Sequence, residues 1–326
     1  MLTNKEEDRP SGLSGLVNRR VLSNQFELPV RFSRVLYAII ACTMLFAFFV
    51  PVLAEEPDVV AKDRPDSRVI SDKWGFYVGG YVTDFKTDAA VGSGGVLGTV
   101  IRAENQLGLD KDDSILRAEG FLRFNPRHGM DFGLWTLSRD GTKVIDDSFI
   151  WDDREFKFGA EVRSQFDTSW FRAAYKYSIL NTDRGEAGIT AGFSAYNFDI
   201  SLEGEATLVV DGVPTDPPVI VGGRTEESIL APVPTIGFFI NYAMRPRLLL
   251  KIKADFFDLS VSGFEGHLVD TAIGIEWYFS RHAGIGLLSN VTNITIKDTG
   301  TDPFNVEYRQ SGLVGYFTFV FGKAGS

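Results

Sequence analysis

From Trp74 to the end of the chain, apolar and polar residues alternate with a period of two, and no stretch carries the 3.6-residue period of a convincing amphipathic helix. In residues 170–180, Phe171, Ala173, Tyr175, Tyr177 and Ile179 share one face, while Arg172, Ala174, Lys176 and Ser178 share the other. In 248–257, Leu250, Ile252, Ala254 and Phe256 oppose Lys251, Lys253 and Asp255. In 268–279, Val269, Ile273, Ile275, Trp277 and Phe279 oppose Asp270, Ala272, Gly274 and Glu276. Near the end, Leu313, Phe317, Phe319 and Phe321 oppose Gln310, Gly312, Tyr316 and Thr318. Such a chain builds strands. A soluble sandwich alternates in the same way, so the connections have to decide the architecture.

Four joints are tight and each carries arginine: Asn125-Pro126-Arg127-His128, Asn181 to Glu186, Met244-Arg245-Pro246-Arg247 and Ser280-Arg281-His282. Between them lie longer polar joints at 86–113, 140–168, 201–233, 261–265 and 297–305. Short turns alternating with long loops mark outer-membrane barrels, with the turns on the periplasmic side and the loops outside. Nine connections imply ten strands, at approximately 74–85, 114–124, 129–139, 169–180, 187–200, 234–243, 247–260, 266–279, 283–296 and 306–321. The count is even, both ends fall on the periplasmic side, and each strand meets the roughly 9–11 residues that a tilted membrane strand needs. The expected fold is therefore all-β, a transmembrane antiparallel up-and-down barrel over 73–321, most simply with ten strands. Eight or twelve remain the alternatives. Phe156, Phe158, Ala160 and Val162 alternate within 140–168, which we read as a hairpin outside the membrane, and glycine-rich 92–98 has room for a strand. Trp74, Phe124, Tyr177, Tyr242, Trp277 and Tyr278 near strand ends fit an interfacial aromatic girdle, or alternatively a sandwich core.

Composition agrees with this reading. The chain has 27 Phe, 10 Tyr and 5 Trp, too many for disorder, and 33 Gly in 326 residues, above the usual share of about 7%. A net charge of −10 argues against a nucleic-acid partner. The single cysteine, Cys42, excludes an intrachain disulfide, a zinc ribbon and a CxxC pair. It lies in Val35–Ala54, an uncharged run preceded by Arg31 and Arg34 and ending Val52-Leu53-Ala54 before Glu55-Glu56. We read 1–54 as a secretory signal with a long n-region, cleaved at Ala54. An uncleaved inner-membrane anchor is the rival, and a lipobox at Ile39-Ile40-Ala41-Cys42 is disfavoured by the apolar run that follows it. Cleavage would leave a cysteine-free chain of charge −12, since the segment holds six Lys/Arg and four Asp/Glu. Residues 55–72 read as a periplasmic linker and 322–326 as a tail. The expected location is the bacterial outer membrane.

Several segments resemble bacterial outer-membrane β-barrel proteins, broadly the small OmpW- and OmpA-type barrels. They are Glu104 with Leu107-Gly108-Leu109-Asp110, the turn Arg123-Phe124-Asn125-Pro126-Arg127-His128, Tyr175-Lys176-Tyr177-Ser178, and the closing Gly315-Tyr316-Phe317-Thr318-Phe319-Val320-Phe321. The similarity covers nearly all of 73–321, and its motifs are structural. It implies insertion by the barrel-assembly machinery, which reads an aromatic final strand, with periplasmic chaperones as escorts and lipid and lipopolysaccharide as surroundings. Five residues follow Phe321 here, whereas many such barrels end on the aromatic itself.

Alternation places Arg117, Glu119, Arg123, Arg172, Lys176, Lys251, Lys253, Asp255, Asp270 and Glu276 inside the barrel, six basic against four acidic. Charges in a narrow lumen must pair or be hydrated. They make either a salt-bridged plug or a narrow, mildly anion-preferring passage for small solutes. Inward Phe121, Trp135, Phe239 and Tyr316 could line an apolar pocket with a lateral exit, or simply pack the interior. The leading functional reading is a passive transport barrel, with a structural or adhesive surface barrel as the alternative, motivated by 140–168 and 201–233.

An enzyme is not expected. His128 and His282 fall at turns, and His267 lies at an outer rim with Glu265 two residues before it and Asp270 three after. Glu265 shares its strand face and could orient the imidazole as a base. The residues two after the histidines are Met130, Val269 and Gly284, so no His-x-Ser exists, and GxSxG is absent. The Asp pairs 112–113, 146–147 and 152–153 are read as solvated loop carboxylates rather than a cation site. Gly79-Gly80 and Gly94-Gly95 lack the context of a nucleotide loop, and the triplets at Asn290 and Asn293 mean little in a strand. No cofactor and no metal is expected.

Overall fold

The computed structural model describes residues 72–210 and 212–322. The proposed signal, all but Asp72 of the 55–72 linker and the last four residues of the tail lie outside them. In chain order the elements are β1 (Trp74–Val91), β2 (Ile101–Arg102), α1 (Ala103–Gln106), β3 (Asp112–Arg123), β4 (His128–Val144), β5 (Phe149–Trp151), β6 (Arg154–Phe156) and β7 (Glu161–Asn181). There follow β8 (Gly185–Val210), β9 (Val213–Pro214), β10 (Ile220–Arg245), β11 (Leu248–Val261), β12 (Phe264–Tyr278), β13 (Ala283–Asp298) and β14 (Phe304–Phe321).

Ten of these strands close a ring. β1, β3, β4, β7, β8, β10, β11, β12, β13 and β14 each pair antiparallel with both neighbours. β14 returns to β1 in register from Trp74 against Phe321 to Val91 against Phe304. Short turns at one end and long connections at the other give the up-and-down order.

The outer limits of several strands differ from the sequence expectation. β7 begins at Glu161, β8 runs to Val210 and β10 starts at Ile220. Most of 201–233 and the second part of 140–168 are thus strand rather than loop, with β10 above Ile236 paired to β8 alone. In these segments the β5–β6 hairpin and β9 stand outside the ring, the hairpin docking on Ala206, Thr207 and Leu208 of β8, and among the described residues no further strand joins the ring. The glycine-rich 92–98 holds one bridge, Ser93 with Val96, and no strand.

Two prolines concealed β10. Pro232 and Pro234 pair with Ala195 and Phe193 of β8, while the β10–β11 ladder reaches only as far as Ile236 and Phe256. Alternate residues of a strand aim their N–H groups at opposite edges, and both prolines have the same parity. Their missing donors fall on the side where no ladder exists, the position at which a strand tolerates proline.

Along the barrel axis the polarity of the wall inverts. In the turn-side half the outward positions are apolar: Trp74, Phe76, Val78 and Val82 on β1, Ile189 and Phe193 on β8, and Leu313 and Phe317 on β14, all exposed. Leu116 and Ile236 each leave 71% of their surface uncovered. A continuous apolar girdle of this height far exceeds the few hundred Å² of patch found on soluble monomers and matches the roughly 9–11 residues per strand of a bilayer core. Beyond it, outward positions turn polar, as Asp84, Lys86 and Asp88 on β1 and Asn197, Asp199, Glu203 and Glu205 on β8. The inward positions change in the opposite sense. Glu186, Thr190 and Ser194 of β8 give way to Tyr196, Phe198, Ile200 and Leu202, which join Phe85, Phe166, Trp135, Trp170 and Tyr308 in one buried core. Burying each such side chain is worth about 1.5–3 kcal/mol. The same strands therefore carry an apolar belt below and a polar outer face above, where β10 pairs with β8 alone.

At the turn-side rim Trp74 stacks on Phe321 at 4.5 Å, and Trp74, Phe124 and Trp277 face outward as a girdle requires. Tyr278 does not. Its parity turns it into the lumen, where its hydroxyl donates to Glu276 at 2.8 Å.

Candidate functional site

Every lumen residue expected from the alternation faces the interior, and ion pairs join them within and across strands. Arg117 lies 2.5 Å from Glu119 and donates to Asn290 Oδ1 at 2.7 Å. Arg172 forks onto Asp255, Nε at 3.0 Å and Nη2 at 3.1 Å, while Thr190 donates to the same carboxylate at 3.0 Å. Lys251 meets Glu276 at 2.7 Å, where Tyr316 also donates at 2.8 Å. Arg123 binds Glu186 through both terminal nitrogens, at 2.8 and 2.9 Å. Asp270 accepts from Asn290 at 2.9 Å and Thr292 at 2.6 Å. Lys176 and Lys253 are less tightly held. Lys176 is 3.6 Å from Glu186 and lies over the Phe239 ring at 3.9 Å, and Lys253 is 3.7 Å from both Asp255 and Asp270.

Sequence reasoning missed two of the lumen's carboxylates. Glu186 was assigned to the turn that precedes β8, although it shares the inward parity of Thr190 and Ser194. Asp131 lies within β4 and lines the same space. With both included, the turn-side half of the lumen has six cations and six carboxylates among the described residues, and the apparent basic excess disappears.

The interior has two storeys. In the turn-side half a cavity of about 100 Å³ is lined by Asp131, Lys176, Lys251, Lys253, Phe121 and Phe239, among others. Above it Trp135 and Trp170 stack at 6.2 Å, and the guanidinium of Arg117 lies 5.1 Å from the Trp170 ring. Phe166, Tyr196, Phe198 and Tyr308 complete a packed apolar layer. At the outer end the β1–β3 connection, which carries α1, packs beside β4. Arg139, with no exposed side-chain surface, holds it there, donating to Glu104 at 2.9 Å, to Thr87 Oγ1 at 2.9 Å and to the Asp110 carbonyl at 3.2 Å. The phenyl rings of Phe85 and Phe166 flank the guanidinium at 4.5 and 5.1 Å.

The histidines do not converge. His267 projects outward and its Nδ1 meets Asp258 of the neighbouring strand at 3.1 Å, not Glu265, while Asp270 points the other way into the lumen. His282 Nδ1 contacts the Val320 carbonyl at 2.9 Å and His128 contacts Tyr175, both at the turn-side rim. Asn290, the head of one glycosylation triplet, is buried in the lumen. At the outer end, burial and the neighbouring Asp153 and Asp302 raise the Asp152 carboxyl, while burial and Asp152 raise Glu227.

Comparison with solved structures supports the architecture. The chain is similar to the outer membrane protease OmpT from Escherichia coli, 13% identical over 79% of this chain and 98% of that one, with a TM-score of 0.50. Weaker likenesses, both outside the range that carries an argument, are the toluene transporter TodX of P. putida and Ail, the attachment invasion locus protein of Yersinia pestis. TodX is 8% identical over 79% of this chain and 93% of that one, with a TM-score of 0.33. Ail is 10% identical over 76% and 99%, with a TM-score of 0.29. No family model and no curated protein matches the sequence. At these identities the likeness speaks to fold alone, and the fold is that of a bacterial outer-membrane β-barrel.

Proposed function

We propose that the chain is exported to the outer membrane and works there as a surface barrel with a closed lumen, structural or adhesive in role rather than conducting. The packed layer around Trp135, Trp170, Phe166 and Phe198 supports this reading, because these large side chains are buried together inside the barrel above the turn-side cavity. The ion pairs beneath it act as internal bracing. Lipid and lipopolysaccharide surround the girdle, and the barrel-assembly machinery inserts the chain through its aromatic last strand. β8 and β10, at 26 residues each, raise the β5–β6 hairpin and β9 well clear of the membrane, where a partner could be met. No catalytic role is assigned; His267 faces outward, where its Nδ1 meets Asp258. The second reading, a narrow passage for small solutes, draws on the turn-side cavity. Reconstitution in planar bilayers separates the two. The closed barrel gives no ohmic steps above baseline, and regular steps from the folded protein would reinstate the passage.

A further inference from the structure

We propose that the turn-side cavity is a binding site for a small oxyanion, a carboxylate or a phosphate, which enters from the periplasmic face. The inference rests on the closed-lumen reading, because the aromatic layer makes this space a blind pocket rather than a stretch of channel. Arg117, Arg123 and Lys251 each have a carboxylate within 2.8 Å. Lys176 and Lys253 do not. Their nearest carboxylate oxygens stand at 3.6 and 3.7 Å, beyond hydrogen-bond range; Glu186 and Asp255 already bind Arg123 and Arg172, and Asp270 already accepts from Asn290 and Thr292. An ammonium group has three donors to satisfy, and both groups border the same open space.

The two lysines are brought together by the fold. Lys176 of β7 lies over the Phe239 ring, and Phe239 is the register partner of Lys253 on β11. An oxyanion between them would receive charge-assisted hydrogen bonds that no protein acceptor supplies. Asp131 lines the same pocket, where its charge acts on Arg172 and Lys251. Its charge limits how much negative charge the pocket accepts, which favours a monoanion over a multiply charged one. The volume of about 100 Å³ suits a ligand of a few heavy atoms.

The test is calorimetric titration of the folded barrel in nanodiscs with acetate and, separately, with inorganic phosphate at constant ionic strength in chloride. At least one gives saturable binding. Lys176→Gln and Lys253→Gln each weaken it by about tenfold or more, Asp131→Asn strengthens it, and Arg224→Gln on the outer surface leaves it unchanged. The opposite signs at Asp131 and the lysines separate ligand contact from a loss of bracing, and heat-shifted gel mobility confirms that each variant is folded. Which anion binds identifies the source. Absence of saturable heat with both, or equal affinity in Lys253→Gln, overturns the proposal. Conductance of the same preparation keeps the two readings apart: no binding and no conductance removes the site but leaves the closed barrel, whereas ohmic steps remove the closed barrel and with it the blind pocket.

Discussion

Glu186 serves four neighbours: Arg123 through two nitrogens, the more distant Lys176, and the polar side chains of Ser178 and Asn241. Glu186→Gln keeps the shape and removes the charge, leaving Arg123 buried without a counter-ion. Breaking one partner of a buried pair costs about 3–5 kcal/mol, so this variant should unfold at a clearly lower temperature in a heated-gel mobility series. An unchanged transition would show that water, not protein, solvates this site. Gly286 makes a second demand. A Cβ there would fall 2.2 Å from Tyr316 Cζ, against a ring whose hydroxyl is tied to Glu276. Gly286→Ala should therefore lower stability and free Tyr316, which near-ultraviolet circular dichroism would register as a loss of tyrosine signal. The ten charged positions were legible because alternation alone assigns parity. Glu186 was not, because its neighbours Asp183, Arg184 and Gly185 read as turn, and nothing in a short polar stretch marks where the ladder resumes.

At the scale of the element, the β1–β3 connection is held by a charge buried in an apolar core, an arrangement that fails when either member is lost. Glu104→Gln leaves Arg139 without its ion pair while keeping a hydrogen-bond acceptor. The expected result is faster proteolytic cleavage within 92–111 with the lower barrel intact, and unaltered cleavage would mean that Leu107 and Leu109 hold the segment without the clasp. The neighbouring carboxylates set a pH response. Asp152 and Glu227 are raised above their ordinary range, so the native state keeps protons that the unfolded chain has released. Stability of the outer end accordingly falls as pH rises through the window just above ordinary carboxylate values and recovers on acidification. Hydrogen exchange in the β5–β6 hairpin, corrected for intrinsic rates, should show more protection near about pH 5 than about pH 7, and Asp152→Asn should reduce the difference. Greater protection at the higher pH would contradict this account. The lower strand ends were readable from the arginine-bearing turns. The upper ones were not, since outward polar residues on β8 and two prolines on β10 imitate a loop when the strand has left the membrane.

For the whole molecule, membrane span and strand length are different quantities. Period two reports where strands run, whereas the swap of polarity between the two faces reports where the solvent changes. Val82 and Lys86 lie four residues apart on the same face of β1, one in the girdle and one above it, and Phe85 between them is buried in the outer core. Single cysteines at these positions in a Cys42→Ser background, treated on intact cells with a membrane-impermeant maleimide, test the arrangement directly. The account predicts rapid labelling of Lys86→Cys and none of Val82→Cys, which reacts only with a lipid-soluble reagent. Labelling of Val82→Cys at the rate of Lys86→Cys would place the girdle in water and contradict a membrane barrel with a soluble outer half.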